Sequence, residues 1–290
     1  KDGVVFFDHE LLSLAQNKAD LEDDLRAAIA AGAMELYFQP KARASDLSVD
    51  GVEALLRWQH PTRGMVPPAL FVAIAEKAGL MPALGRFVFE AAVRQHREWA
   101  ARGFVMPIAV NVSALQFEDA SFVTDLLQII RRADVAPDMI EVEITETMVM
   151  ADFGAAADKV RQLREAGLSV SVDDFGVGYS NLSQLSRLSV NALKIDRSLV
   201  MEIGLDRKAE AIILAVVGMA HAMGLKTIAE GVETPQQAAF LRKARIDAMQ
   251  GYLLGLPMAP GHLEQWIETR GCGAIRDMQT DLARAVAPAA

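Results

Sequence analysis

The feature that most limits what this chain can fold into is a repeated alternation of short apolar runs with amphipathic stretches. A helical pattern covers Asp20–Ala31, with Leu21, Leu25, Ala28 and Ile29 on one face, and Met34–Gln39 then reads as a strand that stops at Pro40. Further strand signals follow at Gly51–Trp58, Pro107–Val112, Met139–Thr145, Leu168–Val172, Ala192–Ile195, Lys226–Ala229 and Ile246–Met249. Helical patterns fill the gaps, and Gly103, Gly167 and Gly224 each close one just before the next strand. A glycine there supplies the left-handed turn that ends a helix and hands the chain to a strand. Eight strands alternating with helices predict an α/β fold, a TIM-like (β/α)8 barrel, with an open doubly wound sheet as the competitor. The polar stretch Lys41–Asp50 is too short for a crossover helix, which allows the first strand to run antiparallel to the second. From Gly261 the pattern is less regular; Trp266 and Ile267 are expected to pack on the barrel and Ala283–Ala290 to fray.

Composition excludes several classes. The single cysteine, Cys272, leaves no disulfide framework and no thiolate metal cage, and fits a reducing, intracellular setting. No apolar run reaches the roughly 20 residues of a membrane span. The most apolar helix candidate, Ala211–Met223, contains Gly218 and His221 and reads as a packed core helix. No secretory signal opens the chain, and a start at Lys1 suggests a fragment of a longer protein. A net charge of −9 disfavours long nucleic acids, which bind through many Lys/Arg–phosphate contacts. A small anionic substrate stays open, because bound cations can reverse the local charge.

Barrel enzymes carry their chemistry where the carboxyl ends of the strands converge. Here those ends are polar: Glu53 and Arg57, Asn111, Glu143 and Glu146, Asp173 and Asp174, Lys194 and Asp196, Glu230 and Glu233, then Gln250. Taken singly, Glu233 and Asp196 each read as a helix cap or a solvated loop residue, Lys194 as an ion-pair partner, and Arg57 as a surface residue covering apolar area. Recurrence on successive strands weakens that reading, and Asn111, flanked by Val110 and Val112, is expected to be buried. Glu143, Asp173, Asp174 and Glu230 on one rim would raise each other's pKa values unless something neutralised them. Oxygen ligands without histidine or cysteine suit hard cations, Mg²⁺ or Mn²⁺. The adjacent Asp173 and Asp174 suit two ions, one carboxylate bridging while its neighbour faces the second, an arrangement fit for in-line phosphoryl displacement. The run Asp174–Ser180 reads as a mobile glycine-rich loop beside that site.

These residues carry a family pattern. Val52–Trp58 resembles the signature that names the EAL family of cyclic di-GMP phosphodiesterases. Glu141–Glu146, Asp173–Ser180, Leu193–Asp196, Ala229–Thr234 and Gln250–Tyr252 are similar to its later motifs, in order, so that the resemblance runs from about Leu21 to Pro260. It implies a barrel that linearises cyclic di-GMP to pGpG, lowering a second messenger of bacterial signalling linked to biofilm growth. By the same resemblance Glu53, Asn111, Glu143 and Asp173 ligate a first metal, and Asp173, Asp174 and Glu230 a second. Lys194, with Glu53 and Glu230, forms the catalytic group; a lysine among carboxylates stays protonated, so positioning of the water is preferred to a strict base role. Glu146 anchors the glycine-rich loop, Arg57 holds a phosphate, Gln250 supports the metal side, and Gln39, Leu55 and Phe71 line the nucleotide groove.

The resemblance also implies a homodimer and a cytoplasmic domain, within a protein that other regions could tether to a membrane. Lys1–Asp8 looks like the end of a GGDEF domain. The expected organisation is therefore 1–18 as the end of a preceding domain with its linker, 19–262 as the EAL barrel and 263–290 as an extension. Val177 and Asn181 depart from the family's usual residues, in a loop tied to control. Together they bear on basal activity and regulation, and Val177 with the apparent fragment status raises the competing expectation of a module that binds the nucleotide without turning it over. A scaffold or dimerisation domain is a third expectation, which the acidic rim disfavours.

Overall fold

The computed structural model describes residues 9–176 and 182–270. Expectations that fall on Lys1–Asp8, Val177, Asn181 and the last twenty residues lie outside them. The strands are β1 Glu35–Arg43, β2 Val49–His60, β3 Gly64–Val66, β4 Ile108–Asn111, β5 Ile140–Thr145, β6 Ser169–Phe175, β7 Ala192–Ile195, β8 Lys226–Ala229 and β9 Ala248–Gln250. Two compact units divide the chain, one of residues up to Glu35 with Leu56–Val88, the other of Leu36–Leu55 with Phe89 onward.

The larger unit is the predicted barrel. Its strands follow the order β1-β9-β8-β7-β6-β5-β4-β2, and a β1–β2 pairing closes the ring. β2 and β4 to β9 are mutually parallel, whereas β1 runs antiparallel to β9, with Lys41 opposite Gln250 and Arg43 opposite Ala248. The inner segments are apolar and fully buried, as parallel strands covered by helices must be: Ile108, Ile140, Val142, Val170, Leu193 and Ile195 are examples. Gly103, Gly167 and Gly224 have φ of 88°, 95° and 73°, so each occupies the left-handed position expected of it.

Three expectations need correction. Pro40 does not end β1. The hydrogen bonds of β1 change partner at Pro40, from a bridge between Phe38 and Met258 to the ladder with β9, so its missing N–H disturbs little. Within the polar stretch Lys41–Asp50 only residues 44–48 connect the two strands, and Lys41 itself is buried in β1. The region after Gly261 is also more regular than expected: Pro260–Arg270 is a helix. Its Leu263 is buried, and Glu264 accepts from Trp99 Nε1 at 2.9 Å and from Arg102 Nη1 at 2.7 Å. The apolar segment near Ala211–Met223 belongs to a helix Arg207–Ala222 that buries Ile213, Val216, Val217 and Ala220 and leaves Ile212 and Leu214 exposed.

The smaller unit has its own core. Leu21, Leu25 and Ala28 of helix His9–Ala31 pack with Trp58, Val66, Phe71, Ile74 and Leu84. β3 pairs antiparallel with the end of β2, and Trp58 meets the Phe71 ring edge-on at 6.1 Å.

Candidate active site

Seven parallel strands point their carboxyl ends at one mouth, and the polar residues stand there. Neighbouring strands set the register: Asn111 of β4 lies opposite Glu143 of β5, and Thr145 of β5 opposite Asp173 of β6. Glu230 follows the last residue of β8, and Gln250 ends β9. A cleft lined by Gln39, Glu53, Asp173, Arg197, Glu230 and Gln250 opens at this end.

Lys194 is the centre of the cluster and is wholly buried. Its Nζ lies 2.7 Å from Glu143 Oε2, 3.0 Å from Asp173 Oδ2, 2.5 Å from Glu230 Oε1 and 4.0 Å from Glu53 Oε2. Burial alone would lower the pKa of this ammonium, but Glu143, Glu53, Glu230 and Asp173 outweigh it and hold Lys194 well above the ordinary lysine value. Lys194 is therefore a fixed cation and a hydrogen-bond donor.

Glu53 is held by amides. Asn111 Nδ2 donates to its Oε1 at 2.5 Å and Gln250 Nε2 to its Oε2 at 2.5 Å. Gln250 Nε2 also donates to Gln39 Oε1 at 3.2 Å, and Gln39 Nε2 to the carbonyl of Gly255 at 3.0 Å. Burial would raise the Glu53 pKa; Lys194 and the two amides reverse this and hold it below the ordinary value. Asn111 is exposed rather than buried, because the end of β4 faces the open mouth instead of the barrel wall.

The aspartate pair depends on an irregularity. Successive residues of a strand normally point to opposite faces. Here Val172 pairs with Leu193 and Phe175 with Ile195, so Asp173 and Asp174 together oppose the single residue Lys194. This is a β-bulge, and Asp174 takes φ of 56°, a left-handed conformation that aspartate tolerates better than most residues. The bulge turns both carboxylates to the same side, where Asp173, Asp174 and Glu230 each offer an oxygen within 4.8 Å of the others.

Those carboxylates are held at a cost. Burial, opposed by Lys194 and reinforced by neighbouring carboxylates, raises Glu143 to about 8 and Glu230 to about 7. Burial and then Asp173 raise Asp174. In addition, Gln250 Oε1 is buried without a hydrogen-bond donor, an acceptor left for a cation or a water. Clustered carboxylate oxygens, with no histidine or cysteine among them, fit a hard divalent ion. The acidic cluster can therefore hold metal. Glu53 and Glu143 stand outside the Asp173–Asp174–Glu230 group and meet it at Lys194.

The remaining predicted residues divide. Glu146 is buried at the start of helix Glu146–Ala151, and the loop it was expected to anchor includes undescribed residues. Leu55 is half-buried on β2. Arg57 belongs to the smaller unit, where its Nη1 donates to the carbonyl of Leu56 at 2.9 Å. Phe71 is fully buried against Trp58, so it is a core residue and not part of a groove. Asp196 caps helix Arg197–Met201, one of the two roles expected of it alone, whereas Glu233 is neither a cap nor simply solvated but pairs with Arg197 at 2.8 Å. Two interior charges escaped sequence reasoning: the buried Lys41, placed in a polar loop, and the half-buried Glu141, noted only as part of a motif. Their ion pair measures 2.7 Å. The alternation of Glu141 and Glu143 on one strand was the available signal for a second interior cation.

Comparison with known proteins is consistent with this geometry. The chain is 40% identical over 259 residues to the bifunctional diguanylate cyclase/cyclic di-GMP phosphodiesterase MucR of Pseudomonas aeruginosa, covering 89% of this chain and 38% of that protein. It is 37% identical over 268 residues to the cyclic di-GMP phosphodiesterase NbdA of the same organism, covering 92% of this chain and 34% of the relative. The chain thus spans little more than a third of the length of these curated relatives. Among solved structures, the MucR phosphodiesterase in complex with c-di-GMP superposes with a TM-score of 0.81 at 41% identity, over 84% of this chain and 99% of that one. A family model described as EAL domain matches residues 22–257, and the chain belongs to the EAL domain family.

Proposed function

We propose that this domain hydrolyses cyclic di-GMP to linear 5′-pGpG in a reaction that depends on divalent metal, Mg²⁺ or Mn²⁺, with two ions per site. The observation that carries the reading is the convergence of Glu143, Asp173, Glu230 and Glu53 on buried Lys194 at the barrel mouth. The phosphodiesterase names of relatives at 37–40% identity, and a c-di-GMP complex of one of them, supply the substrate class.

In this reading Glu53, Asn111, Glu143 and Asp173 would hold one ion, and Asp173, Asp174 and Glu230 would hold the other. When bound, the ions supply an activated water and neutralise charge on the phosphoryl and leaving oxygens. Asn111 and Gln250 keep Glu53 in one orientation by donating to its two oxygens. Lys194, kept protonated by its neighbours, orients the attacking water and offers a positive charge to the developing phosphorane. Glu53 and Glu230 complete the catalytic group. Gln39, Leu55 and Gln250 bind the nucleotide, and Glu146 supports the loop that follows β6.

The domain is proposed to act in the cytoplasm, as a homodimer, in a longer protein with a GGDEF-type domain upstream; residues 1–18 would be the end of that region and 19–262 the barrel. Among the described residues no helix is long and apolar enough to cross a membrane. Incubation with cyclic di-GMP and either ion, followed by chromatography of the nucleotides, tests the activity: pGpG is expected, and Glu53→Ala is expected to abolish it. Intact nucleotide with both ions, from folded protein, overturns the proposal. If calorimetry on that protein also shows tight binding, the domain is a sensor.

A further inference from the structure

The antiparallel first strand brings a second ammonium into the barrel interior. Lys41 Nζ lies 2.7 Å from Glu141 Oε2 and 3.4 Å from Glu143 Oε1, and Glu143 Oε2 lies 2.7 Å from Lys194 Nζ. Each oxygen of Glu143 is therefore assigned to a different lysine, and its side chain is 0% exposed. Glu141 and Glu143 are two residues apart on β5, so both face the interior, with Glu141 further from the mouth. Lys41 and Glu141 also line a cavity of about 880 Å³ at the opposite end of the barrel, bordered by the first residues of β6, β7 and β8, Ser169, Ala192 and Lys226. A lysine that only balanced Glu141 would need no contact with Glu143.

We propose that Lys41 is a positioning residue of the catalytic centre: its ammonium fixes the inner oxygen of Glu143, so that the outer oxygen is presented to Lys194 and the mouth in a single orientation. The consequence for catalysis rests on the metal-dependent reading above. Groups that orient a metal ligand from behind typically contribute about 10–100-fold in affinity or activity.

Lys41→Met alone leaves the half-buried Glu141 without its cation, which destabilises the fold and confounds the result. The informative variant is Lys41→Met with Glu141→Leu, which removes both members of the pair. Lys41→Gln with Glu141→Gln, a neutral pair of similar size, serves if the first fails to fold. Expected for the double variant are a melting temperature near that of the wild type, a KM for cyclic di-GMP within about twofold, a kcat lowered about 10-fold or more, and Mn²⁺ binding by calorimetry weakened about 10-fold. A double variant with wild-type stability, kcat and Mn²⁺ affinity shows that Lys41 serves Glu141 alone and overturns the proposal. If the wild type binds Mn²⁺ but leaves the nucleotide intact, the hydrolytic reading fails while the ratio of Mn²⁺ affinities still decides the role of Lys41. A wild type that binds no Mn²⁺ overturns both.

Discussion

Raising the pH on metal-free protein should destabilise it through the acidic cluster. Glu143 rises from 4.5 to about 8 and Glu230 from 4.5 to about 7. Both are acids whose folded pKa exceeds the unfolded value, so between pH 4.5 and about 8 the folded chain binds more protons than the unfolded chain. Stability must then fall as pH rises through that window. For Glu143 alone the difference corresponds to on the order of 5 kcal/mol, at about 1.4 kcal/mol per pKa unit. Glu230 shares Lys194 with Glu143, so the two titrate together and the loss stays closer to this figure than to a sum. His96, lowered by burial, acts in the opposite sense, chiefly below its ordinary value of 6.5. At roughly 2–4 °C per kcal/mol for a chain of this size, the melting temperature in EDTA should drop about 10–20 °C from pH 5 to pH 8. Saturating Mn²⁺ should remove most of the slope, because the ion holds the carboxylates ionised. Glu143→Gln should flatten it without metal. Circular dichroism melts over this range provide the assay. A metal-free melting temperature that is flat or rising between pH 5 and pH 8 would refute the reasoning.

Other outcomes follow from the same geometry. Asp174→Asn keeps a residue that tolerates positive φ while removing a raised carboxylate; the metal-free protein should melt no lower, while turnover falls by more than about 10–100-fold. Asp174→Val adds a β-branched side chain at that φ and should cost about 1–2 kcal/mol in a denaturant titration. Lys194→Met leaves the surrounding carboxylates without their cation; a loss of about 3–5 kcal/mol in metal-free protein is expected, with turnover abolished. Glu264→Leu removes the acceptor for Trp99 and Arg102, far from the mouth in sequence and role; about 1–3 kcal/mol of stability should be lost with kcat unchanged.

The barrel was legible in the sequence because its physics is local. Short strands such as Ala192–Ile195 and Lys226–Ala229 are read with their bounds intact, and the glycines before three strands punctuate the helices where the backbone turns left-handed. The strand-end carboxylates and Lys194 were visible for a related reason, since polar residues beside buried strands conflict with their surroundings. What escaped depends on long-range partners. Pro40 reads as a stop until Met258 and β9 divide the pairing of β1 between them. Lys41 looks solvated in a polar run until Glu141, 100 residues away, closes on it. Asn111 looks buried between valines, although the open mouth of the barrel exposes it. The bulge that aims Asp173 and Asp174 together follows from the register against β7, which neither segment reveals alone.

Anomalous diffraction from crystals grown with Mn²⁺ bears most directly on how this mouth works. Manganese peaks are expected among Asp173, Asp174 and Glu230 and beside Glu53 and Asn111, with Lys194 still against its carboxylates. A well-ordered mouth at saturating Mn²⁺ with no anomalous signal, or with the ion bound elsewhere, would contradict a metal-dependent phosphodiesterase centre.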